Sequence, residues 1–145
     1  GLRVLSASDD NTLREWDEFS GRELRRFEGH SELVTACAYS PDGLRVLSAS
    51  GNTLREWDAR SGAQLRRFEG HSGFVHLCVY SSNGRLLVSV SDDSTLRLWS
   101  VSTGACLHTV CGIAAFRAVA IVAGQIAAGD EAGNVWILDF DQALG

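Results

Sequence analysis

Residues 1–30 read GLRVLSASDDNTLREWDEFSGRELRRFEGH, and residues 43–71 repeat them as GLRVLSASGNTLREWDARSGAQLRRFEGH, a near copy with one residue deleted. A third, more diverged copy runs over 84–110 as GRLLVSVSDDSTLRLWSVSTGACLHTV. Internal repetition constrains the fold more than any local signal, because a unit of this size cannot bury its apolar face alone and has to stack on its neighbours. His30 and His71 stand 41 residues apart, inside the period of about 40–45 expected when each unit is a small sheet of four short strands.

Within each copy, apolar or alternating runs are separated by turn chemistry, the pattern of antiparallel strands joined by hairpins. The second unit reads as strand a over 33–39, the turn Ser40-Pro41-Asp42-Gly43, strand b over 44–50 and a tight Gly51-Asn52 turn. Strand c follows over 53–58, then the Arg60-Ser61-Gly62 turn and strand d over 64–68. The last segment reads as strands over 116–122, 125–129 and 134–140, with Asp130-Glu131-Ala132-Gly133 as a turn and nothing like strand d after it. No helix is expected, since no segment of a dozen residues sustains a 3.6-residue apolar period.

With these features the chain resembles the WD-repeat family. The matching residues are Gly29-His30 and Gly70-His71, the Ser40-Pro41-Asp42-Gly43 turn, the Ser-Asp-Asp turns at 8–10 and 91–93, and the closing pairs Trp16-Asp17 and Trp57-Asp58, with Trp99-Ser100 as a variant. The resemblance implies an all-β fold, a WD-repeat β-propeller, here a partial ring of roughly 3.5 four-stranded antiparallel blades. Residues 1–28 would be an incomplete blade lacking strand a, 29–69 and 70–110 full blades, and 111–145 a degenerate closing blade lacking strand d. The absence of methionine and the opening at Gly1 suggest a natural start further upstream. The phrase AAGDEAGNVWILDF at 127–140 resembles the closing blade of propellers at the C-terminus of bacterial STAND-type signalling ATPases, and Arg and Ala without any Lys hints at a GC-rich bacterial source.

His71, Ser89, Asp93 and Trp99 in the third unit have the residue types of a catalytic triad, but the resemblance implies a buried structural tetrad instead. An indole N–H only donates, so Trp99 needs an acceptor such as the Ser89 hydroxyl, which can then donate to one His71 nitrogen while the other donates to Asp93. The first unit keeps Ser6, Asp10 and Trp16 without a preceding His, and the second keeps His30, Ser48 and Trp57 but has Gly51 where the Asp belongs. That blade's b–c turn is expected to be tighter than its neighbours and looser in conformation. No catalytic, cofactor-binding or metal-ligating residue is expected: Ser89 sits mid-strand, and no His-x-His, Cys-x-x-Cys or spaced carboxylate pair appears.

In the family, the d–a loops and b–c turns usually supply the partner-binding face. Carried over by position, it comprises Glu28, Ser31, Glu32, Ser72, Gly73, Phe74, Asp9, Asn11, Asn52, Asp92 and Ser94. Phe74 is the candidate anchor, although its place at the start of strand a favours packing between blades. Glu15 and Glu56, before Trp16 and Trp57, are expected to be ordinary surface salt-bridge partners, and Arg25-Arg26 and Arg66-Arg67 to be charges on the outer rim. The expected function is a non-catalytic scaffold binding a protein or peptide, with the STAND sensor as alternative and a propeller enzyme as a remote one. A net charge of −5, with all 13 basic residues Arg and scattered, argues against nucleic acid. No apolar run long enough for a membrane span is present, so no membrane partner is expected. Four cysteines read as buried small side chains (Cys37, Cys78) and free thiols (Cys106, Cys111), which suits the cytoplasm. Open blade faces at both ends would make the isolated fragment self-associate.

Overall fold

The computed structural model describes residues 2–140, all strands and turns with no helix among them. The strands are β1 (Arg3–Ala7), β2 (Leu13–Asp17), β3 (Glu23–Phe27), β4 (Val34–Tyr39), β5 (Arg45–Ser50), β6 (Thr53–Asp58), β7 (Gln64–Phe68), β8 (Val75–Tyr80), β9 (Leu86–Ser91), β10 (Thr95–Ser100), β11 (Cys106–Cys111), β12 (Phe116–Val122), β13 (Gln125–Asp130) and β14 (Val135–Asp139). They form four antiparallel meanders, β1-β2-β3, β4-β5-β6-β7, β8-β9-β10-β11 and β12-β13-β14, which we call blades 1 to 4. Leu33 and Leu44, expected inside strands, precede β4 and β5 instead, because the d–a and a–b turns need one more residue to reverse the chain.

Turn chemistry sets the register of each meander. Gly43 and Gly84 adopt φ of +71° and +69° in the a–b turns, while Gly62 and Gly104 adopt +77° in the c–d turns, a conformation that carries no penalty only for glycine. Asp58 Oδ1 accepts the Ser61 N–H at 2.6 Å and the Ser61 hydroxyl at 2.8 Å, so the Asp of the Trp-Asp pair fixes the c–d turn rather than touching its neighbouring Trp. In blade 2 the b–c turn has only two residues, with Ser50 opposite Thr53 and Gly51 at φ +54°.

The sheets of blades 2 and 3 are buried on both faces, which explains why β5 and β9 are almost wholly apolar or small instead of alternating. One face of blade 2, with Val46 and Trp57, packs on Leu13 and Phe27 of blade 1. Its other face, with Leu47, Ala49, Leu54 and Phe68, packs on Val75, Cys78, Leu87 and Trp99 of blade 3. Val88, Val90, Leu96 and Leu98 of blade 3 in turn meet Phe116, Ile126 and Ala128 of blade 4. The aromatic contacts repeat with the blades: Phe27–Trp57 at 6.0 Å and Phe68–Trp99 at 5.9 Å, both edge-to-face. Each such pair contributes about 0.5–1.5 kcal/mol beyond its buried area.

Glu15 and Glu56 are not surface residues. They are 1% and 3% exposed, because the face of strand c that carries them is covered by strand a of the following blade. Glu15 accepts the Tyr39 hydroxyl at 2.6 Å and pairs with Arg3 at 3.2 Å; Glu56 accepts the Tyr80 hydroxyl at 2.8 Å and pairs with Arg45 at 3.2 Å. Burial, and then the neighbouring carboxylate, hold both phenols well above the ordinary tyrosine value. The rim arginines are divided accordingly: Arg25 turns to Glu15 at 3.8 Å, and the Nε atoms of Arg25 and Arg66 are shielded from solvent, while Arg26 and Arg67 remain exposed. At the next interface the same positions hold Leu98 and Ile121, which pack in one apolar cluster. The polar pair and the apolar pair are therefore alternative solutions to one inter-blade contact.

Tyr80→Phe, which leaves Glu56 buried without its hydroxyl donor, is expected to destabilise the chain by about 1–3 kcal/mol. Adding Glu56→Leu should recover much of that loss by reproducing the apolar solution of the next interface. A double-mutant cycle under chemical denaturation checks it, and additive costs would contradict the coupling.

Candidate functional site

At the end of the blades where the d–a loops meet the b–c turns, side chains from one d–a loop, one b–c turn and two strands converge in each complete set. In blade 3, Trp99 Nε1 donates to Ser89 Oγ at 2.8 Å, Ser89 Oγ lies 2.7 Å from His71 Nε2, and His71 Nδ1 lies 2.8 Å from Asp93 Oδ2. Since the serine oxygen takes the indole proton, its own proton goes to Nε2, which leaves Nδ1 protonated and donating to the carboxylate. Asp93 also accepts the Ser72 N–H at 3.0 Å and the Thr95 hydroxyl at 2.6 Å. Burial opposes the charge on Asp93, but the hydrogen bonds from Thr95, His71 and Ser72 outweigh it and bring the carboxyl to about 2. Ser89 is 0% exposed, so its hydroxyl cannot meet a substrate.

The conformation of Gly70 follows from the same cluster. A Cβ there would lie 2.7 Å from Arg97 Nη1 and 3.3 Å from Trp99 Cη2, and its φ of +153° also disfavours a side chain. Gly29 stands in the same relation to Arg55 (2.9 Å) and Trp57 (3.4 Å). The Gly-His pair thus combines a backbone that can pass under an Arg–Trp stack with the imidazole that ties the loop to the sheet.

Blade 2 carries the same chain of bonds only as far as the histidine. Trp57 Nε1 donates to Ser48 Oγ at 2.9 Å and Ser48 Oγ lies 2.7 Å from His30 Nε2, but no carboxylate meets Nδ1 among the described residues. Burial, and then Arg55 and Arg67, depress His30 to about 4. In blade 1, Trp16 donates to Ser6 at 2.8 Å, while Asp10, without a histidine, binds Thr12 and Arg14 and remains exposed. Blade 4 has a different solution that the sequence pattern did not flag: Asp130 accepts from Trp136 Nε1 at 3.0 Å and from the Asn134 N–H at 2.9 Å.

The other residues on this face are placed unevenly. Glu28, Ser31, Glu32, Ser72, Asp9, Asn52 and Asp92 are exposed, and Asn11 and Ser94 occupy turn positions at φ of +69° and +62°. Gly73 is not a presenting residue, because a Cβ there would lie 2.8 Å from the Asp93 backbone nitrogen: its backbone is seated on the neighbouring turn. Phe74 does not pack between blades. It ends just before β8 and is 43% exposed.

Beside Phe74 lies a polar cluster that the repeat pattern did not single out. His76 Nε2 is 2.7 Å from Asp92 Oδ1, and Arg117 binds Asp92 at 2.6 Å and Glu131 at 2.8 Å while also touching the His76 ring. These side chains come from strand a and the b–c turn of blades 3 and 4, so the cluster bridges two blades. The signal was a departure from the repeat: in blade 2 the position of His76 and Arg117 is Thr35, whose hydroxyl is spent on the Val75 carbonyl at 2.7 Å.

A family model described as WD domain, G-beta repeat, matches residues 21–58 and 62–100. The chain is similar to apoptotic protease-activating factor 1 of Mus musculus, at 50% identity over 125 residues, 86% of this chain and 10% of that protein. It is also similar to nuclear distribution protein PAC1 of Mycosarcoma maydis (42% over 48 residues, 33% of this chain, 11% of that protein). A third relative is small ribosomal subunit protein RACK1 of Saccharomyces cerevisiae (44% over 52 residues, 32% of this chain, 16% of that protein). The chain therefore spans between 10% and 16% of the length of these three proteins.

Trp99→Phe removes a buried donor and unbalances a complete tetrad, and is expected to cost about 1–3 kcal/mol beyond the lost area. Trp57→Phe should cost less, since its chain of bonds stops at His30. Chemical denaturation of the two variants in the full-length protein checks the difference, and equal costs would contradict it.

Proposed function

Because the chain belongs to the WD domain, G-beta repeat family, we propose that it is a non-catalytic scaffold whose d–a loop and b–c turn face binds a partner protein or peptide. The observation that carries this reading is the half-exposed Phe74 beside the His76–Asp92–Arg117–Glu131 cluster. An aromatic ring held on a rigid sheet end loses little entropy on binding, and a ring of charged groups around it can pair with a partner's polar groups while excluding water. Blade geometry supports the same reading, since the tetrads and the inter-blade contacts spend the buried polar side chains on structure and leave the exposed ones to the face.

A finer reading is that this is the sensor end of a STAND-type signalling ATPase of bacterial origin, working in the cytoplasm. It rests on the 127–140 phrase, which folds as β13 and β14 of a three-stranded last blade. A phosphate-binding Gly-x-x-x-x-Gly-Lys-Ser/Thr loop elsewhere in the same polypeptide would support it.

Self-association of the isolated 145 residues is part of the proposal. Val135 and Ile137 on β14 are 75% and 61% exposed, and such adjacent apolar side chains seek a covering surface. Light scattering after size-exclusion chromatography should give a mass of two chains or more, and a monodisperse single chain would contradict the expectation.

Phe74→Ala and Arg117→Ala in the full-length protein should each weaken partner capture about tenfold or more, as expected for hot-spot residues, while leaving the melting temperature nearly unchanged. Quantitative pull-down of a partner identified with the unaltered protein measures this. Undiminished capture by both variants, or by a protein whose d–a and b–c loops are replaced by Gly-Ser, would remove the face assignment.

A further inference from the structure

Blade 2 differs from its neighbours in the charge it leaves unbalanced on the sheet face that carries Trp57. Arg55 and Arg67 lie directly opposite each other on β6 and β7, a like-charge pairing that destabilises a sheet unless something compensates it. Blade 1 has the same pairing, Arg14 opposite Arg26, but neutralises it: Glu23 meets Arg26 at 3.1 Å and Arg14 at 3.5 Å, and Asp10 meets Arg14 at 2.5 Å. Blade 3 avoids the problem, since Arg97 faces Thr109 and the tetrad carboxylate of Asp93 sits on His71.

Blade 2 has lost both acids. Gln64 stands in place of Glu23 and only accepts one hydrogen bond from Arg55, at 2.9 Å, while the deletion at Gly51 removes the counterpart of Asp10 and Asp93. Glu69 engages Arg67 at 2.9 Å from the exposed side, and the Glu32 carboxylate lies over Gly51. His30 points its protonated Nδ1 away from Ser48, as His71 points its own at Asp93. The Arg55 guanidinium lies over the Trp57 ring at 6.0 Å, and the His30 ring meets the same indole at 5.7 Å. Desolvation and then Arg67 lower Arg55, while both arginines lower His30, so these groups sense one another's positive potential.

We propose that the surface formed by His30, Arg55 and Arg67 on blade 2 is an oxyanion-binding site, taking one carboxylate or phosphate group from outside the blade. The ligand occupies the role that Glu23 and Asp10 play in blade 1 and Asp93 plays in blade 3. Two guanidinium groups and an imidazole N–H offer it charge-assisted hydrogen bonds from one side, with an aromatic floor beneath. This site shares the d–a loop end of the blades with Phe74 but none of the Phe74, His76, Asp92, Arg117 and Glu131 side chains, so it stands or falls independently of them.

The test is thermal melting of the full-length protein in about 20 mM phosphate or acetate, against chloride at matched ionic strength, because a ligand that binds only the folded state raises the melting temperature. Phosphate also stabilises proteins by exclusion from their surfaces, so the signal is the excess over Arg67→Gln in the same buffer. An excess on the order of 2–4 °C is expected. Gln64→Glu, which restores the acid of blade 1, should melt higher than the unaltered protein in chloride and show no excess, whereas Arg26→Gln in blade 1 should keep it. N-acetylated, C-amidated Gly-Glu-Gly and Gly-phosphoserine-Gly, each added alone in chloride, assign the site to a carboxylate or to a phosphate group according to which reproduces the excess. An equal shift in Arg67→Gln, a full excess in Gln64→Glu, or an equal shift with N-acetylated, C-amidated Gly-Ser-Gly would overturn the proposal.

Discussion

Each inner sheet of this chain, in blades 2 and 3, is covered on both faces by another sheet, and the rest of the structure follows from that constraint. A lone four-stranded meander of about 25 ordered strand residues cannot offset its own conformational entropy. Stacked, blades 2 and 3 each hand one face to the blade before and the other to the blade after. Trp57 leans on Phe27, and Phe68 is leaned on by Trp99. Polar groups survive in such a place only when partnered, which is why Glu15 and Glu56 carry a tyrosine and an arginine with them.

The hydrogen-bonded tetrads answer a different demand. Apolar faces hold blades side by side but leave the connecting loops free, and a Gly-His loop anchored through serine to a tryptophan on the next strand ties that end down. Where the tetrad is complete, in blade 3, Asp93 also captures a backbone N–H of the loop, so the d–a loop and the b–c turn move as one piece. Blade 2 keeps the anchor without the clamp and blade 4 replaces both with Asp130 and Trp136. The units are thus alike in fold and individual in their polar chemistry, and the individuality lies at the d–a loops and b–c turns.

The same contrast separates scaffold from site. Repeated residues are mostly buried and structural: Ser6, Ser48 and Ser89 each accept from a tryptophan. Of the residues that depart from the repeat, Arg117 and Gln64 are exposed and His76 is half-buried, while Gly51 is buried beneath the Glu32 carboxylate.

The sequence alone determined the fold class and the greater part of each strand, since these are written in local terms: a turn glycine at a fixed place and an apolar run of six. Strands at 53–58, 64–68 and 116–122 needed no more than that. What it did not disclose was which face of a strand the next blade covers. Glu15 and Glu56 read as surface charges because a period-two pattern says that a side chain alternates, not what lies opposite, although the joint replacement of Glu–Tyr by Leu98–Ile121 was available as a clue. Phe74 read as an inter-blade side chain because it was placed at the start of strand a, whereas the strand begins at Val75 and a single-residue step reverses the side. Those outcomes belong to the tertiary structure: the burial of a group is a property of the partner surface, and only the stacking of the blades decides which surface that is.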